Sequence, residues 1–72
     1  VDVLALEEAL EHLGEVSERQ AQVFEMRFFS GLRVKEIAAL LSVSERTVKR
    51  DWTVARTWLA RELYRQAPGK PR

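Results

Sequence analysis

The chain contains no cysteine and only one histidine, two prolines and three glycines in 72 residues. The missing cysteine removes any disulfide framework, any thiolate metal site and any cysteine nucleophile. Long apolar runs are missing too. The longest is Ile37-Ala38-Ala39-Leu40-Leu41, where a membrane span needs about twenty residues. No basic stretch precedes an apolar one near the start, so no secretion signal is visible. Nowhere do apolar and polar residues alternate over a strand's length with β-branched enrichment, which argues against strands and against a winged element. Finally, the formal net charge is only +1, which on its face speaks against a nucleic-acid partner.

What is present is enough for one domain and one modest core. Apolar residues make up 46% of the chain, too many for a disordered segment. The small net charge is a cancellation. Residues 1–36 carry eight acids against four bases, a balance of −4, and residues 37–72 carry three acids against eight bases, a balance of +5. Such asymmetry points to an anionic partner for the second half, with two solvated helix faces as the plainer reading.

Helical periodicity divides the chain into four segments, expected at about 3–13, 18–30, 34–41 and 45–65, with 66–72 as a flexible tail. In the first, Val3, Leu6, Leu10 and Leu13 form one stripe, with Asp2 as N-cap and Gly14 in the left-handed position past the end. The second opens on Ser17-x-x-Gln20, a capping box. It places Ala21, Phe24 and Phe28 on one face beside Val23, and ends at Gly31 with Leu32 as the apolar contact of a Schellman motif. The third turns Ile37, Ala38 and Leu41 inward. Its N-cap is Arg33, which has no oxygen to accept the exposed N–H groups and so forgoes about 1 kcal/mol relative to Ser or Thr. The fourth, capped by Ser44, groups Val48, Trp52, Ala55 and Leu59 on an inner face. Arg46, Arg50, Thr53, Thr57 and Arg61 lie opposite, with Lys49 on the flank.

A short helix, a three-residue turn and a longer helix with a basic outer face make a helix-turn-helix. Ala38 has to be small where the two helices cross, Val43 points inward from the turn, and Val48 anchors the second helix on Ile37 and Leu41. Ser42 stands where a turn glycine is usual. In a major groove the start of the last helix would face base edges. There Arg pairs with guanine, Glu accepts from cytosine, and Thr meets a thymine methyl or a phosphate. Arg33 and Lys35, beside the free N–H groups of the preceding helix, suit phosphates. The fold expected is all-α, a four-helix domain with a C-terminal helix-turn-helix over residues 3–65.

The segments Ser17-Glu18-Arg19-Gln20-Ala21, Met26-Arg27-Phe28-Phe29-Ser30-Gly31-Leu32, Glu36-Ile37-Ala38 and Ser44 to Trp52 resemble region 4 of bacterial sigma factors. They are most similar to the extracytoplasmic-function (ECF) group. The likeness covers about residues 3–65. It implies a domain that reads the −35 promoter element and docks on the β-subunit flap of RNA polymerase core in the bacterial cytoplasm, with an anti-sigma factor as a further candidate partner. It assigns base reading to Glu45, Arg46, Lys49 and Arg50, and backbone contacts to Arg33, Lys35, Ser44 and Thr47, to which Thr53 is added from its place on the outward face of the last helix. The chain departs from the pattern at Arg33, where many members have Ser or Thr, and at Asp51, where many carry a base at the DNA-facing edge. Nothing corresponds to region 2, which suggests an excised C-terminal domain.

Two other readings stand beside this one. The output domain of LuxR/GerE-type regulators also carries Glu-Ile-Ala and Thr-Val-Lys at matching places. A helical module that binds protein and not DNA would use Val54 and Trp58, an apolar strip that serves equally as core packing against the first helix. An enzyme is disfavoured. His12 among Glu8, Glu11 and Glu15 is a weak metal set, and no cofactor or small-molecule substrate is called for.

Overall fold

The computed structural model describes residues 3–66, with side chains through Arg65. Among the described residues it is all-helical: α1 Val3–Val16, α2 Glu18–Phe28, α3 Val34–Leu41 and α4 Glu45–Gln66. The expected cap Asp2 and residues 67–72 of the expected tail lie outside the described residues. Gln66 itself belongs to α4.

The inner faces meet in two clusters. Leu6, Ala9, Leu10 and Leu13 of α1 pack with Ala21 and Phe24 of α2 and with Ala55 and Leu59 of α4. Val23 of α2 packs with Ile37 and Ala38 of α3 and Val48 of α4. Trp52 touches both clusters, so it joins the helix-turn-helix to the α1–α2 scaffold. Leu13, Val23, Ile37 and Val48 are fully enclosed, and each contributes about 1.5–3 kcal/mol of transfer free energy. Alanines at 9, 38 and 55 are also buried, as close helix contacts require.

Several expected details differ. Val3 is exposed, and Ala9 takes its place in the stripe, one turn ahead of Leu13. α1 does not stop at Gly14. The Ser17 N–H still donates to the Leu13 carbonyl at 2.7 Å, and a Cβ on Gly14 would meet Ala21 Cβ at 3.9 Å. Gly14 is therefore an interior residue of α1 facing Ala21 with ordinary van der Waals room for a Cβ, not a cap. Ser17 Oγ accepts the Gln20 N–H at 3.3 Å as the capping box requires. The Gln20 side chain does not reach back, however, and turns instead to α4, its Nε2 3.5 Å from Asp51 Oδ1.

α2 ends at Phe28, two residues early, in a widened last turn. The Glu25 carbonyl accepts from both Phe29 and Ser30, and Leu32 N–H donates to the Met26 carbonyl at 3.0 Å. That bond reaches one residue further back than a Schellman motif does, although Gly31 has the positive φ of 69° expected there. Phe28 stacks on Phe24 at 5.1 Å but stays half-exposed, because it lines an open apolar cleft with Leu6, Trp52, Leu59 and Leu63. The Schellman pattern occurs at the other turn. Ser42 adopts φ 57° and ψ 43°, its N–H reaches Ala39, and Val43 N–H donates to the Ala38 carbonyl at 3.0 Å. Val43 packs on the second cluster, which is the apolar contact the motif needs.

Candidate nucleic-acid interface

α4 starts from a side-chain cap. Ser44 Oγ accepts the Thr47 N–H at 3.1 Å and donates to Thr47 Oγ1 at 2.9 Å, so the two hydroxyls form one unit at the helix entrance. Val48 is then pulled fully inside against α3. At 100° per residue this sends Arg46 and Arg50 to the opposite side, with Lys49 on the flank. Glu45, Arg46, Lys49, Arg50 and Thr53 are all exposed, and Thr47 is half-buried.

The charges divide into tied and free. Arg19 is paired with Asp51 at 2.6 Å, Arg65 with Glu62 at 2.9 Å, and Arg33 Nε stands 3.9 Å from Glu36. Arg27 and Arg56 lie over the Trp52 ring, 5.9 and 5.7 Å from its centroid, within cation–π range. By contrast, Arg46, Lys49, Arg50 and Lys35 make no ion pair with any described residue. Arg61, further along α4, is likewise without an ion pair to any described residue, but it is Arg46, Lys49 and Arg50 that cluster into a positive patch available to an external anion.

Arg33 occupies the N-cap of α3 in extended conformation and caps nothing with its side chain. Part of the missing cap comes from the other direction, since Glu36 Oε1 accepts the Arg33 N–H at 2.8 Å. The guanidinium is 83% exposed, so its contact with Glu36 is worth at most a few tenths of a kcal/mol and leaves it available. Lys35 is exposed beside it.

Asp51 is the main correction. Far from standing at a DNA-facing edge, it is the one buried charged side chain among the described residues, 1% exposed and ion-paired to Arg19 from α2. Its position was readable from spacing: it falls three residues after Val48 and four before Ala55, inside the inner stripe. Trp58 packs on the first cluster while Val54 stays exposed, so the expected apolar strip is divided. His12 faces α4, away from a metal role with its own helix's acids, and no group of three metal-ligating side chains occurs among the described residues. The His12 Nδ1 lies 3.5 Å from Glu62 Oε2, linking α1 to α4.

Among the described residues no helix is long and apolar enough to cross a membrane. A groove of about 760 Å³ lies between α1 and α2, bordered by Glu7, Glu11, Glu18 and Glu25. A smaller cleft of about 260 Å³ is the apolar one beside Phe28 and Trp52.

No curated relative and no solved structure matches the chain. The model of one protein family, described as ECF sigma factor, matches residues 1–65. The match covers all four helices except Gln66, the last residue of α4, and includes the helix-turn-helix with its free cations. The chain therefore belongs to the ECF sigma factor family, non-catalytic regulators of transcription that work with RNA polymerase on promoter DNA.

Proposed function

We infer that residues 3–65 are the region 4 module of an ECF sigma factor and that α4 reads the −35 promoter element from the major groove. One observation carries this reading. Arg46, Lys49 and Arg50 project unpaired from the first two turns of α4, directly after the turn, where a recognition helix meets base edges. Arg46 and Arg50 suit guanine O6/N7, and Glu45 suits cytosine N4. Lys49 joins them on the flank. Arg33, Lys35, Ser44, Thr47 and Thr53 take the backbone, with the uncapped N–H groups of α3 adding an anion site beside Arg33.

The other face serves protein. Phe28 is half-exposed over the apolar cleft, and the half-exposed Phe29 meets its ring edge-on and borders the α1–α2 groove; exposed aromatics of this kind mark docking surfaces. The β-subunit flap of polymerase is the occupant we assign, with an anti-sigma factor competing for the same face. The family match favours the sigma reading over a LuxR/GerE-type output domain.

Selection of duplexes from a randomised pool, followed by fluorescence anisotropy against salt, tests the DNA reading. We expect a preferred sequence and a log–log salt slope of about −0.9 for each phosphate neutralised. Binding without preference would remove the base-reading role. Binding of polymerase flap alone, with no DNA affinity at low salt, would leave only a protein-interaction module.

A further inference from the structure

α2 holds α4 at two successive residues. Asp51 Oδ2 receives the Arg19 Nε–H at 2.6 Å, and its Oδ1 lies 3.5 Å from Gln20 Nε2. Trp52 stacks on Phe24 with centroids 5.2 Å apart and planes 24° from parallel. Both residues directly follow the run from Glu45 to Arg50.

The two grips differ in kind. Ring stacking and apolar burial are only weakly directional, so they discriminate between neighbouring rotations of a packed helix less sharply than a directional bond does. A short charge-assisted hydrogen bond is directional. A buried carboxylate that loses its partner is also heavily penalised, because its charge is left uncompensated out of water. At 100° per residue Asp51 lies about 100° from Arg50 and about 140° from Arg46 around α4. Fixing where Asp51 points therefore fixes where those two arginines point. A rotation of 20° moves the helix surface by about 2 Å at its 5–6 Å radius, more than the width of the hydrogen-bonding range.

We propose that the Arg19–Asp51 pair, assisted by Gln20, is a positioning device for base reading. It sets the rotation of α4 and so decides which base edges Arg46 and Arg50 reach, although neither member of the pair touches DNA. This rests on the base-reading role of α4 proposed above and adds residues of α2 to the determinants of sequence preference.

The test uses the 72-residue chain and two variants, Asp51→Asn and the double variant Arg19→Gln/Asp51→Asn. The second leaves no orphaned charge, so it stays folded even if a single change does not. Circular dichroism verifies the fold. Anisotropy gives the preference for the selected duplex over a scrambled one, together with the salt slope, and residual dipolar couplings give the orientation of α4 relative to α2 in the free protein. We expect folded variants whose preference falls about tenfold, the scale of one lost bidentate contact. Their salt slope should be unchanged, and the α4 couplings should require a rotated helix.

Folded variants with the original preference and the original α4 orientation would overturn the proposal and reduce the pair to a stabilising contact. A slope lowered by about 0.9 in the double variant but not in Asp51→Asn would overturn it differently, making Arg19 a phosphate ligand. If the unmodified chain shows no preference among duplexes, the base-reading role fails. The couplings then still report whether the pair sets the helix.

Discussion

Arg19 and Asp51 form an ion pair with unequal ends. The two meet at 2.6 Å, but the Asp51 side chain is 1% exposed while that of Arg19 is 45% exposed. Removing the exposed partner should therefore cost more than neutralising the buried one. Arg19→Ala strands a carboxylate in the core and should destabilise by about 3 kcal/mol. Asp51→Asn keeps the shape and lets Arg19 turn to water, so about 1 kcal/mol is expected. Urea unfolding at neutral pH measures both, and the reverse order would mean that the carboxylate is already solvated.

Gly14 and Gly31 should respond to alanine with opposite signs. Gly14 is inside α1 with room for a Cβ at 3.9 Å from Ala21, so Gly14→Ala should stabilise by about 0.5–1 kcal/mol through helix propensity and chain entropy. Gly31 sits at φ 69° with open space around it, so Gly31→Ala should destabilise by about 1 kcal/mol through backbone strain alone. Thermal melts of the two variants decide it. A loss at Gly14 would return that residue to a cap.

Ser42 is the only described non-glycine residue with positive φ. Ser42→Gly should raise stability by about 0.5–1 kcal/mol, because the left-handed conformation costs glycine nothing sterically. Since the motif's bonds are made by the backbone, DNA affinity should keep its preferred sequence. A drop in melting temperature would show that the serine side chain holds the turn.

The free cations should separate by role. Arg46→Ala and Arg50→Ala should each cost about 1–3 kcal/mol on the selected duplex and relax its base preference. Lys35→Ala should weaken all duplexes alike and make the salt slope shallower by about 0.9. Anisotropy over a panel of single-base changes distinguishes these outcomes. Lost discrimination in Lys35→Ala would exchange the assigned roles.

Much of this domain was legible locally. The caps at Ser17 and Ser44, the inward positions Ile37, Ala38, Val43 and Val48, and the outward Arg46, Lys49 and Arg50 all follow from spacing within one element. Helical periodicity and capping are near-neighbour effects, so one segment carries its own signal. The net charge of +1 was uninformative until resolved along the chain, because pairing and position decide what a charge does.

The partner of Asp51, the surroundings of Gly14 and the exposure of Phe28 needed the tertiary structure. A charge on an inner stripe is read as solvated until a partner 32 positions away arrives to neutralise it, as Arg19 does. A glycine near a helix end looks like a cap until the helix proves to run on past it, as α1 does to Val16. An aromatic on the apolar face of α2 looks like core until the neighbouring helices leave it over an open cleft. In each case the deciding energy belongs to a contact between elements distant in sequence. Local pattern alone therefore specified the helices and the outward cations of α4, while docking of α2 on α4 decided which charge is buried and what neutralises it.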